Sequence, residues 1–157
     1  MSDISVRLEQ MMPLIRERLS NGESVRFTPQ GTSMRPMILG GRDQVILSPL
    51  PERLKKFDLP LYQRDNGQYV LHRIVKAGKD FTCIGDGQFI YEPGVRQDQM
   101  IALATGFVRK GKTRSTDCFS YWLYCRLWHY SRPLRKFLLR VKSATSRLLT
   151  RFFKKNV

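Results

Sequence analysis

Asp65-Asn66-Gly67 stands between two stretches rich in apolar and aromatic residues, Leu59–Arg64 and Tyr69–Lys76. An Asn-Gly pair in that setting is a tight-turn signal that brings its flanks together as a β-hairpin. Further short stretches with strand character lie at Val25–Thr28, Gln44–Ser48, Phe81–Ile84 and Ile101–Arg109, each bounded by turn-forming residues. The pattern predicts a small β body. Ahead of it, Leu8, Met11, Met12, Ile15 and Leu19 recur at helical spacing and mark one face of an N-terminal helix that ends at Asn21-Gly22, with a bend expected at Pro13.

A chain of 157 residues, 41% hydrophobic and 26% charged, has the composition of one globular domain rather than of a disordered segment. No internal repeat or low-complexity run is present. The three cysteines, Cys83, Cys118 and Cys125, form no Cys-x-x-Cys pair. They indicate neither a disulfide framework nor a thiolate zinc site, and a reducing compartment suits them.

Two segments carry chemistry. Ser33 lies in the turn Gly31-Thr32-Ser33-Met34-Arg35-Pro36, and His72 lies in the apolar run Tyr69-Val70-Leu71-His72-Arg73-Ile74-Val75. A serine hydroxyl is a weak nucleophile at neutral pH and needs a base beside it, and histidine titrates in the right range. Side chains alternate along a strand, so His72 is expected to share a face with Val70 and Ile74, where desolvation would keep it neutral. Taken singly, Ser33 is an ordinary turn or capping serine, His72 a core or surface histidine, and Asp86 in Gly85-Asp86-Gly87 a turn aspartate. Their order along the chain gives them weight.

Ser33-Met34-x-Pro36, then Gly41-Arg42-Asp43-Gln44-Val45-Ile46, then a strand carrying His72-Arg73, then Gly85-Asp86-Gly87, resembles the motif series of the signal peptidase I superfamily over roughly Val25 to Val108. Most bacterial signal peptidases and the LexA-like self-cleaving repressors carry lysine as the base. A histidine there is similar to the branch containing the endoplasmic-reticulum and Bacillus spore-type signal peptidases. The resemblance implies a coiled β-sheet catalytic body with its active site at a sheet edge. It also implies a serine endopeptidase that needs no cofactor, with Ser33 as nucleophile, His72 as base and Asp86 supporting His72, in a box where glycine replaces the family's asparagine. Gly31, Thr32 and Met34 fall on the oxyanion and substrate-binding side. Gly31 departs from the hydroxyl residue usual in bacterial enzymes two places before the serine, leaving the Ser33 N–H and the Thr32 hydroxyl as the expected donors. The implied substrate is a signal, leader or other precursor peptide, with small residues before the cut.

Ten of the 28 Lys and Arg residues, and none of the 13 acidic ones, fall in 119–157. Leu134, Phe137, Leu138, Val141, Leu148, Leu149, Phe152 and Phe153 recur there near helical spacing, after an aromatic run from Phe119 to Tyr130. A basic amphipathic helix of this kind suits an anionic membrane surface, and no stretch is apolar enough to span a bilayer. Docking on the body and nucleic-acid binding are the other uses of such a tail, the second disfavoured by its many large aliphatics. The expected organisation is therefore an N-terminal helix at 1–22, a catalytic domain at 23–112 and a basic tail at 113–157, the whole being cytoplasmic and peripheral to the membrane. The alternatives are a non-catalytic or self-cleaving regulatory module, though no Ala-Gly or Cys-Gly cleavage pair precedes Ser33, and a membrane- or RNA-binding protein that acts through its basic tail, with Ser33 and His72 incidental.

Overall fold

A computed structural model describes residues 3–142, with side chains described from residue 8. The chain divides into two compact units, 1–122 and 123–157.

The first unit opens with α1 (Asp3–Ser20) and continues through β1 (Val25–Phe27), β2 (Gln44–Ser48), β3 (Pro60–Gln63), β4 (Tyr69–Leu71), β5 (Arg73–Lys76), β6 (Phe81–Ile84), β7 (Glu92–Val95), β8 (Met100–Arg109) and β9 (Lys112–Ser115). The helix continues through Pro13 and stops at a Schellman cap: Gly22 takes φ +78°, its N–H reaches Leu19 O, and the Glu23 N–H reaches Arg18 O. Met12, Ile15 and Leu19 are buried, whereas Met11, expected on the same face, is exposed.

All strand pairing is antiparallel. One sheet runs β1-β2-β8-β3-β4, with β9 added to β8; the other runs β5-β6-β7. The long β8 is its sheet's spine, with β2 along one side and the other side shared by β3 and β9. Its alternating burial places Met100, Ala102 and Ala104 inward. Tyr62, Val70 and Met100 from the larger sheet pack in one cluster with Ile74, Phe81, Cys83 and Val95 from the smaller, so the core lies between the sheets. Each fully buried aliphatic there contributes about 1.5–3 kcal/mol.

The Asp65-Asn66-Gly67 hairpin forms as expected, with Gln63 opposite Tyr69. The expected single strand Tyr69–Lys76 does not. It divides at His72 into β4, in the larger sheet, and β5, in the smaller, so the simple alternation of faces fails and Val70 through Val75 are all buried. The sheet also extends past the expected boundary at 112, because β9 pairs with β8 as far as Ser115.

α2 (Phe119–Tyr130) begins in the first unit and ends in the second. In the second unit the helix stops at Ser131 and helical backbone resumes over 132–142, where Pro133 lies in the first turn and its missing N–H costs nothing. Leu148, Leu149, Phe152 and Phe153 lie outside the described residues. Among the described residues, no helix is long and apolar enough to cross a membrane.

Candidate active site

Ser33 sits in the long connection from β1 to β2, a segment without regular structure whose shape is set from both ends. At one end, Gly40 lies so close to Gly31 that a Cβ would run into its carbonyl oxygen, and the Gly41 N–H donates to Pro29 O at 2.9 Å. Gly31 takes φ +85°, open to glycine and strained for other residues. Farther along, Asp43 is fully buried and accepts the Leu39 N–H at 3.0 Å, two bonds from Arg42 and one from Arg109 Nε at 3.3 Å. Burial opposes ionisation of Asp43, but these donors outweigh it and hold its carboxyl below the usual value. Arg109 also donates to the carbonyls of Pro36 and Met37. Buried Met34, Met37 and Ile38 anchor the turn from beneath.

The Gly85-Asp86-Gly87 box completes the frame. The Gly87 N–H donates to Ser33 O at 2.8 Å, and a Cβ on Gly85 would lie 2.5 Å from that oxygen. Gly85 is thus required by close approach to the serine's own backbone, and a Cβ on Gly87 would stand tightly, 3.1 Å from the carbonyl oxygens of Thr32 and Arg35.

His72 occupies the handover between β4 and β5 and is 3% exposed. Desolvation drives its pKa down to about 4, against the opposing charge of Glu92, so the ring is neutral at physiological pH. Ser33, His72, Gly31, Thr32 and Met34 line one cavity of about 400 Å3. Its apolar wall includes Phe27, Ile38, Leu61 and Val70, and Gln30, Gln68 and Arg64 give it polar groups.

Asp86 is placed otherwise than expected. Both its oxygens accept from Arg73, at 2.8 and 2.7 Å, in a pair that is almost wholly buried. Arg73 also donates to Phe57 O and to the Tyr121 hydroxyl. The carboxylate beside His72 Nδ1 is instead that of Glu92, 3.6 Å away, with the Tyr62 hydroxyl 3.4 Å from the same nitrogen. Tyr62 donates to Glu92 Oε2 at 2.7 Å, and Arg64 binds both Glu92 oxygens at 2.6 Å. Burial opposes ionisation of Glu92, yet bonds from Arg64 and Tyr62 keep its carboxyl below the usual range. Burial and Glu92 push the Tyr62 phenol far upward, so it stays protonated. The charge of Asp86 also favours the His72 imidazolium, less than that of Glu92 does.

Glu92, Tyr62 and Arg64 are thus the residues that motif reading misses. Tyr62 and Arg64 lie in an expected strand with nothing to mark them as functional, and Glu92 opens Glu-Pro-Gly-Val, which carries no strand signal. No family model, curated protein or solved structure matches the chain.

Proposed function

We propose that this protein is a serine endopeptidase of signal peptidase I-like type, working with a Ser33–His72 dyad on an extended precursor or leader peptide. The observation that carries the reading is the shared cavity: the one serine and the one histidine singled out by the ordered motifs both line it, and the histidine is buried and neutral. His72 removes the Ser33 proton as Oγ bonds to the peptide carbonyl carbon, then returns that proton to the departing amine as the C–N bond breaks. A water deprotonated by His72 then attacks the ester carbonyl and frees Ser33. General-base assistance of this kind contributes about 10²–10⁴-fold. The Ser33 N–H and the Thr32 hydroxyl are the assigned oxyanion donors.

The second unit presents a basic, apolar surface. Leu123, Leu127, Tyr130, Leu134, Phe137, Leu138 and Val141 are exposed at helical spacing among Arg126, Lys136, Arg140 and Lys142. That surface fits an anionic bilayer interface, on which the protein would be held peripherally. Its three cysteines are free thiols, as suits the cytoplasmic side.

The test is labelling of the purified full chain with a fluorophosphonate, followed by peptide mapping. Modification of Ser33 that disappears in His72→Ala supports the dyad. Absence of label across several serine-directed reagents would overturn it and shift attention to the basic surface.

A further inference from the structure

We propose that Glu92, together with Tyr62, is the positioning pair of His72, the role that the motif series would assign to Asp86. The proposal rests on the reading of His72 as the base and on which groups around it can donate a hydrogen bond. Tyr62 has one hydroxyl proton, and it is committed to Glu92 Oε2 at 2.7 Å. Toward His72 Nδ1, at 3.4 Å, the same hydroxyl can therefore present only a lone pair. The other polar atom on that side is Glu92 Oε2 at 3.6 Å, also an acceptor. Two acceptors facing one ring nitrogen select the tautomer in which Nδ1 carries the proton. Nε2 then bears the lone pair, as a base that must accept from serine requires.

Glu92 is itself fixed. Arg64 grips both its oxygens, so the carboxylate is ionised and cannot swing away. When His72 takes the serine proton, the negative charge of Glu92 lies beside the new imidazolium. Contacts of 3.4–3.6 Å are long for hydrogen bonds, and such contacts commonly tighten when substrate is bound. Asp86 is engaged with Arg73 through both its oxygens, whereas Glu92 and Tyr62 stand beside Nδ1 of His72. The charged and titratable groups acting on His72 are Tyr62 and Arg64 from the β3–β4 hairpin, Glu92 from β7, and, less than Glu92, Asp86 after β6; buried Cys83 of β6 acts on Tyr62.

The chain has two histidines, so 15N-histidine NMR on the full-length protein reads the tautomer directly, with His129→Gln to assign the second ring. His72 is expected to be protonated at Nδ1 and bare at Nε2 at pH 7; a dominant Nε2–H form overturns the proposal. Glu92→Gln should slow fluorophosphonate labelling of Ser33 by at least about a hundredfold and move the acid limb of the labelling rate to lower pH, because a charge that favours the imidazolium is gone. Glu92→Asp should restore part of the rate. Labelling of a folded Glu92→Gln protein at the wild-type rate, with an unmoved acid limb, also overturns the proposal. If Ser33 takes no label in any version while Glu92→Gln disturbs an Nδ1–H tautomer, the positioning pair stands and the peptidase reading fails.

Discussion

Gly85 lies against the carbonyl of Ser33 with no room for a side chain: a Cβ there would stand 2.5 Å from the oxygen. The obstacle is backbone, so relief requires the serine's turn to move. Gly85→Ala should destabilise the fold by about 1–3 kcal/mol, as overpacking does. A displacement near 1 Å should cost roughly a hundredfold in Ser33 labelling. Gly78→Ala is the control, since neither glycine has a positive φ and a Cβ on Gly78 would meet only ordinary contact, 3.6 Å from Asp80 O. Labelling of Gly85→Ala at the rate of that control would contradict the clamp.

Asp86 and Glu92 should separate in experiment. Asp86→Asn leaves the buried Arg73 without its carboxylate and should cost about 3–5 kcal/mol of stability. The fraction that remains folded should label within about tenfold of wild type, because the acyl-transfer groups are intact. A folded Asp86→Asn protein with melting unchanged and labelling abolished would return Asp86 to the dyad.

The pH dependence follows from burial of His72. Its folded pKa is lowered to about 4 from an ordinary 6.5, so between those values the unfolded chain binds the extra proton and stability falls as pH falls. The contribution is fully present above pH of about 6.5, and its loss amounts to about 3 kcal/mol by pH of about 4. His72→Gln should flatten the melting temperature over that window in a calorimetric series. Equal slopes for both proteins would mean that His72 is not held neutral by the fold.

Membrane association should depend on the exposed apolar residues. Phe137 and Leu134 are 61% and 60% exposed. Substituting either with Asp should weaken binding to phosphatidylglycerol vesicles about tenfold or more, since burial of one such side chain is worth about 1.5–3 kcal/mol. These point substitutions are preferable to truncation at 119, because Tyr121 packs near Phe107 and its hydroxyl accepts from Arg73 in the first unit. Unchanged sedimentation with vesicles would remove the lipid surface as the partner. Binding to RNA that falls steeply with salt would replace it.

Much of the sheet pattern is visible in the sequence because the strands behave locally. β2 and β6 occupy the expected residues, and β1, β3 and β8 differ only at their ends. β7 is missed because its residues are Glu-Pro-Gly-Val, with Gly94 at φ +75°, and nothing in local preference favours that as a strand. β9, Lys-Thr-Arg-Ser, is exposed at every position and has no apolar alternation to detect. Ser33 and His72 could be named because motifs mark them, and both line the same cavity. Glu92 could not: its place beside His72 depends on β7 pairing with β6 and on hydrogen bonds from Tyr62 and Arg64, none of which has a local signature. Asp86 misled for the opposite reason. Its glycine-flanked box is conspicuous, but the glycines meet the Ser33 backbone while the acid neutralises Arg73.

The division of one expected strand at His72 sets how the chain can tolerate changes of length. An added residue in the exposed turn at 65–67 lengthens a surface loop and leaves both sheets in register. An added residue between Leu71 and Arg73 has no such outlet. It would carry one or other sheet out of step by a whole position, sending the imidazole or the guanidinium to the wrong side of its backbone. Length variation in this fold should therefore collect at the hairpin tip and vanish at the far end of β4, where a single residue belongs to neither sheet and is positioned by both.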